Sequence, residues 1–252
     1  MKRLRKRCRT FLEGFLLINL IWLTAHFLFH ITVIPNPIDV YRNSGTLIAD
    51  RIGIHILYSL WRIAAGLVLS LLVGVPVGML MGYSARANRI LYPLIYFSYP
   101  IPKTALLPVA MLLWGMRDGS KIAIIFLIIV FQIIVSVRDG IGQIDPVMYL
   151  VTVSAGATRA QIVRHVALPA ILPELLTSVR ISLGTALSIL FFVEGYGTKY
   201  GMGYYILDAW SRIDYTGMYL GILVISVIGF ALLAGVDLLS DRLCVWSRKQ
   251  QE

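Results

Sequence analysis

Ser154-Ala-Gly-Ala-Thr-Arg-Ala-Gln-Ile-Val-Arg-His-Val-Ala-Leu-Pro-Ala-Ile-Leu-Pro173 separates two long apolar runs. Its local grammar reads residue by residue. Upstream, Asp145-Pro146 opens a helix: Asp is a good N-cap, and Pro fits the first helical position, whose N–H is unpaired in any case. Gly156 can close that helix by taking a positive φ. Thr158, with Gln161 three residues on, forms a capping box that starts a second helix. Pro169 and Pro173 interrupt the chain as it turns into the next apolar run. The expectation is a short helix-turn-helix held outside the lipid between two spans, an element that a soluble partner can grip.

Composition supports a lipid setting. The chain has 252 residues, 58% hydrophobic and 14% charged, against about 25% charged in a soluble domain. Apolar runs of about 20 residues recur, which predicts a polytopic all-α membrane protein. The runs are continuous and do not alternate, which argues against a β-barrel. Cys8 and Cys244 both fall near predicted cytoplasmic ends, so free thiols are expected.

Working outward from the loop, the chain divides as follows. Residues 1–10 carry Lys2, Arg3, Arg5, Lys6, Arg7 and Arg9, a basic block that suits topology and anionic lipid rather than nucleic acid. The run 11–34 is too long for a signal peptide and has no small-residue cleavage site, so it reads as a retained first span. Residues 35–55 suit an external loop with an interfacial helix. A core, 56–245, holds five further spans at about 57–83, 90–116, 122–137, 172–193 and 219–239. A cytoplasmic loop, 138–171, and a tail, 246–252, complete the inner side. The third span is interrupted by Pro100-Ile-Pro102-Lys103 and by Pro108, and carbonyls freed at membrane depth must face protein or water. In the second span, Gly66, Ser70, Gly74, Gly78 and Gly82 lie at four-residue spacing, which lets helices approach closely.

Counting cations tests this topology. Of 23 Lys and Arg, 14 fall on the assigned inner side: the basic block, Arg86, Arg89, Arg138, Arg159, Arg164, Arg242, Arg248 and Lys249. Six fall outside (Arg42, Arg51, Arg117, Lys121, Lys199, Arg212) and three within spans. The inner excess predicts N-in, C-in with about six spans.

Four ionisable residues sit within spans or at their outer edge: Arg62, Lys103, Arg180 and Glu194. A charge at the centre of a bilayer helix costs about 2.5–3.5 kcal/mol on insertion scales, so each must face protein or water. One reading has them line or gate a pathway. The other has Arg62 and Arg180 snorkel or pair within the bundle, with Glu194 near the outer surface. Catalytic motifs are absent. No Gly-x-x-x-x-Gly-Lys-Ser/Thr loop for ATP phosphates occurs, nor any His-Glu-x-x-His. His26, His30, His55 and His165 are scattered, and no metal site is expected.

Two stretches carry a family resemblance. Gly156-Ala-Thr-Arg159, followed by Val166-Ala-Leu-Pro169 and Leu172-Pro173, resembles the cytoplasmic loop motif of the permease subunits of binding-protein-dependent ABC importers. That motif begins Glu-Ala-Ala, where this chain has Leu150-Val151-Thr152. Pro100-Ile-Pro-Lys-Thr-Ala-Leu-Leu-Pro108 with Leu113-Trp-Gly115 looks like the nitrate, sulfonate and taurine branch. Glu194 with Gly201-Met-Gly203 matches an acidic residue followed by a Gly-Leu-Gly-like turn in that family.

The resemblance implies a type I importer permease fold in the inner membrane. Two copies would form the pore for a small solute such as a sulfonate-, taurine- or nitrate-like anion. Two separate ATPase subunits, which carry the ATP and magnesium, would bind the coupling loop at Leu150, Ser154, Ala155, Gly156, Ala157, Thr158, Arg159, Gln161, Arg164, Leu168 and Pro169. A periplasmic or lipid-anchored binding protein would deliver the solute. This chain itself is expected to be no enzyme and to hold no cofactor. Two rivals stand beside this reading. An ion-gradient-driven secondary transporter would need deep paired carboxylates and internal repeats. A membrane enzyme would need clustered His, Asp or Ser at one interface.

Overall fold

The computed structural model describes the backbone of residues 2–246 and the side chains of residues 12–246. The basic block, Cys8, Arg248 and Lys249 therefore lie outside the described side chains. The described chain is helical, in the order α1 (Lys2–Phe29), α2 (Pro37–Arg42), α3 (Thr46–Ala49), α4 (Ile52–Tyr83), α5 (Ala85–Ser98), α6 (Leu107–Trp114), α7 (Asp118–Gly142), α8 (Pro146–Ser154), α9 (Arg159–Ile162), α10 (Leu168–Glu194), α11 (Met202–Ser211) and α12 (Tyr215–Leu243). Five helices are long and apolar enough to cross a membrane: Leu12–Phe29 of α1, α4, α7, the continuous Arg159–Glu194 rod, and α12.

The segment expected as the third span is not one helix. Proline has no N–H to continue the ladder, and Pro100 and Pro102 leave residues 99–102 unwound. A 3-10 turn, Lys103–Leu106, then leads into α6, which starts with Pro108 in its first turn. The span is two half-length helices joined at a break.

The core is the α4–α7 seam. Gly66, Ser70, Gly74, Gly78 and Gly82 form one stripe along α4, and Ile125, Ile133, Val137 and Ile141 of α7 press into it. A methyl group added at Gly66 would stand 2.5 Å from Ile125 Cγ2, and one at Gly78 2.7 Å from the Ile134 carbonyl oxygen. Packing at this distance replaces the hydrophobic drive that lipid does not supply between helices. Helix α10 covers the other side of α7 through Ile171, Leu183 and Leu190, all buried.

Helices α1 and α12 lie at the periphery, with few of their side chains fully buried. The outer end of α1 is tethered by Trp22, which stacks on Tyr219 and donates to the Pro35 carbonyl at 3.1 Å. The 35–55 loop holds the short helices α2 and α3, with Asn36 capping α2.

Candidate functional site

Two places bring charged or capped residues together, one at each end of the bundle. The outer place is built on α4. His55, Ser59 and Arg62 follow one another at helical spacing on its buried face, continuing the glycine stripe outward. The 32 residues of α4 span about 48 Å at 1.5 Å per residue, well beyond a hydrocarbon core of about 30 Å. Its first turns, and these polar groups, therefore lie at the outer interface.

Glu194, the last residue of α10, is 0% exposed and is ringed by donors. Arg62 Nη1 donates to Oε1 at 2.5 Å, Ser59 Oγ reaches both carboxylate oxygens at 2.9 Å, and the Gly203 N–H donates to Oε2 at 2.9 Å. Arg62 also donates to Asp118 Oδ1, through Nε at 2.8 Å and Nη2 at 2.7 Å, and to the Tyr200 carbonyl at 2.9 Å. Ser59 Oγ accepts the Met202 N–H at 2.8 Å. Lys121, also 0% exposed, donates to the Met116 carbonyl.

The charges balance: two cations, Arg62 and Lys121, against Asp118 and Glu194. Such a cluster keeps its ions only because every partner is present, since taking each from water is expensive.

The turn Tyr200–Gly203 closes over this carboxylate. Gly201 has φ +141, and a Cβ there would sit 2.4 Å from the Glu194 carboxyl carbon. His55 meets the same glycine: its Nδ1 can accept the Gly201 N–H at 3.2 Å or donate to the Gly201 carbonyl at 3.0 Å, according to tautomer. The imidazole also stacks on Tyr204, with Tyr200 and Tyr205 edge-on. Tyr205 donates to Asp50 at 2.9 Å. Burial, then that hydrogen bond, push its hydroxyl above the ordinary range. Helix α11 is thereby pinned across the outer end of α4 and α10.

The inner place is the loop quoted at the start. Asp145 accepts the Val147 N–H at 2.8 Å and caps α8. The helix ends in a Schellman turn: Gly156, at φ +78, donates to Val153 O at 2.9 Å, and Ala157 donates to Thr152 O at 3.2 Å. Thr158 then accepts the Gln161 N–H at 3.4 Å, while its own N–H reaches Gln161 Oε1 at 2.7 Å, a complete capping box.

Beyond α9 the chain does not turn into a separate helix. It widens into a π-turn, Val163–Ala167, and continues as α10. Pro169 closely follows the π-turn, whose widened ladder absorbs its missing N–H, and Pro173 is carried within the helix. The expected interruption at these prolines is therefore a wide turn in one continuous 36-residue rod. Ser154, Ala155, Thr158, Arg159, Gln161, Arg164 and Leu168 are exposed along this corner. Helix α8 buries no side chain fully: Val147, Leu150, Val151 and Val153 point outward, and Tyr149 ties it down, edge-on to Tyr83 of α4.

The four charged residues singled out in the spans do not share one site. Arg62 and Glu194 meet in the outer cluster. Arg180 pairs with Asp237 of α12 at 3.1 Å on an open face of α10. Lys103 lies apart, at the break between α5 and α6. Asp118, Lys121, Ser59 and His55 were missed. Asp118 and Lys121 read as an external turn but form the first turn of α7. The spacing of His55, Ser59 and Arg62 was the available signal: polar residues at helical period ahead of the glycine stripe.

Ser59 sits beside the Glu194 carboxylate, but its hydroxyl is taken up by that carboxylate and by the Met202 N–H, and both side chains are buried; among the described residues there is no cluster of three or more metal-ligating side chains. Each of the two places holds the ends of long apolar helices against one another or against the chain beside them. The chain belongs to the family of binding-protein-dependent transport system inner membrane components, whose family model matches residues 74–244. It is thus a multi-pass inner-membrane permease of ABC importer type, a class that works with ATPase subunits and a substrate-binding protein.

The taurine transport system permease protein TauC of Escherichia coli (strain K12) is 36% identical over 197 residues, covering 78% of this chain and 72% of TauC. The formylaminopyrimidine transport permease protein ThiX of Halalkalibacterium halodurans is 29% identical over 237 residues, covering 94% and 95%. An inward-facing structure of the MetNI methionine ABC transporter shares the fold, with a TM-score of 0.66 over 75% of this chain and 94% of that one, at 21% identity.

Proposed function

We propose that this chain works as one of a pair forming the pore of an ATP-driven importer for a small anion of the sulfonate, taurine or nitrate type. Two separate ATPases, which carry the nucleotide and magnesium, grip the α8–α9 corner, and a binding protein delivers solute to the outer face near α11. The observation that carries this reading is α8 itself. It is a capped helix whose apolar residues, Val147, Leu150, Val151 and Val153, project from the inner end of the bundle without a covering partner among the described residues. An apolar helix face of this kind docks into a groove on a partner. The relatives' names supply the solute class, and they include both a taurine porter and a formylaminopyrimidine porter.

Nucleotide-driven closure of the ATPases moves α8 and α9. Because α9, the π-turn and α10 are one rod, that motion reaches α10 without crossing a loop.

The test is to purify the tagged chain from mild detergent and assay what accompanies it for ATPase activity. The expected result is a co-purifying nucleotide-binding subunit with activity. Placing charges in the apolar contact with Leu150→Asp and Val151→Asp should lower its recovery at least tenfold, about 1.4 kcal/mol, with the thermal transition unchanged. Full recovery by that double variant would move the docking face off α8. A folded chain that came down alone and inactive would set the importer reading aside in favour of an ion-gradient transporter.

A further inference from the structure

The break between α5 and α6 combines two features that lipid does not tolerate. The first is unwound backbone at membrane depth. Lys103, which ends the break, stands 5.6 Å from the ring of Phe131, and Phe131 is at the middle of α7 (Asp118–Gly142). Tyr99, Pro100, Ile101 and Pro102 are exposed there and outside any helix. Non-helical backbone at this depth persists only where it is buried in protein or lines water.

The second feature is an uncompensated charge. Away from the inner ends of the spans, the other described cations of the spanning helices are compensated: Arg62 with Glu194 and Asp118, Lys121 beside that cluster, and Arg180 with Asp237. Lys103 has no acid partner among the described residues. Its ammonium donates to the carbonyls of Ser98, at 2.5 Å, and Tyr99, at 3.2 Å, and lies over the Tyr99 and Phe131 rings. An ammonium has three donors, so one remains, and no carboxylate among the described residues neutralises it.

We infer that Lys103 is the residue that contacts the transported anion as it passes mid-membrane, at a site formed by the α5–α6 break. The carbonyls of Ser98 and Tyr99 hold the ammonium in place, the two rings confine it, and the open side of the break admits a small solute. The positive charge then selects by sign. An anion of one unit passing within several ångströms is favoured, a cation disfavoured, and a neutral solute indifferent. This inference rests on the transport reading above and adds the sign and position of the selecting charge.

The test needs no knowledge of the natural solute. In the transporter assembled with its ATPase, in membranes, with Cys8→Ser and Cys244→Ala, one introduces Ile101→Cys at the break. A parallel chain carries Leu20→Cys on the lipid-facing middle of α1. Labelling rates are then measured with two small thiol reagents, the anionic sulfonatoethyl and the cationic trimethylammonioethyl methanethiosulfonates. Tyr99→Cys serves as a second reporter if Ile101→Cys does not assemble.

The cysteine at the break should react, and the one on α1 should not. With Lys103 present, the anionic reagent should be favoured over the cationic one by about three- to tenfold, the size of a single charge felt across several ångströms of partly aqueous surroundings. Lys103→Gln should abolish that preference. Two results overturn the inference: a cysteine at the break no more reactive than that on α1, or a reagent ratio that Lys103→Gln leaves unchanged. The ATPase co-purification is scored on the same preparations. A negative labelling result with the ATPase still bound would remove the anion site and leave the importer reading standing.

Discussion

Glu194 has no solvent contact and is satisfied by three residues from two other parts of the chain: Ser59, Arg62 and Gly203. Removing one member strands the others in a buried setting, so Glu194→Gln should cost about 3–5 kcal/mol of stability. Arg62→Gln should cost a similar amount. The double variant should lose less than the sum by about 1 kcal/mol or more, because the pair no longer leaves either charge alone. Thermal unfolding of the four proteins in detergent reads this directly, and strict additivity would mean the two side chains act independently. At this scale the sequence exposed half of the arrangement. Arg62 and Glu194 stand out because charge is rare in apolar runs. That they meet does not: 132 positions separate them. Asp118 and Lys121 were hidden by position, since polar residues just before an apolar run read equally well as a surface turn.

Among the elements, the α4–α7 seam is the most sharply specified. Gly78 faces a backbone carbonyl as well as Val137, and a carbonyl held in its own helix cannot swing aside as a side chain can. Gly78→Leu should therefore separate the two helices and cost about 1–3 kcal/mol or more, read as a fall in thermal midpoint. Gly142, whose Cβ would meet nothing, is the matched control, and Gly142→Ala should be silent. The stripe was legible because four-residue spacing survives any packing. The caps at Asp145, Gly156 and Thr158 were legible for a related reason: they depend on neighbours within three or four positions. Pro169 and Pro173 misled the reading, because proline predicts a lost hydrogen bond but not how a helix absorbs it. At Pro100 and Pro102 the helix opens, whereas Pro169 sits just behind a π-turn and the rod runs on.

For the whole molecule, alternating helix directions and the inner excess of cations give the same orientation. The corner at Arg159 faces the cytoplasm, and the turn at Lys199 faces outward. In intact cells, with Cys8 and Cys244 replaced, a cysteine introduced by Lys199→Cys should react with a membrane-impermeant thiol reagent. One introduced by Arg159→Cys should react only after permeabilisation. The reverse pattern would invert the topology. Fold class was readable early because lipid imposes it through composition alone, while the half-length pair α5 and α6 needed the structure.

The π-turn at Val163–Ala167 is also a matter of phase. Each residue of an α-helix turns the chain by about 100°, and a π-turn carries one residue more than the α-helix it interrupts. The faces of α9 and α10 are therefore offset from those of an unbroken helix of the same sequence length. Deleting one residue there would leave both caps and both prolines in place. It would nonetheless swing Arg159 and Gln161 about a quarter of a revolution around the rod, aiming the whole corner elsewhere. The register of that single surplus residue is what points the cytoplasmic face of this chain.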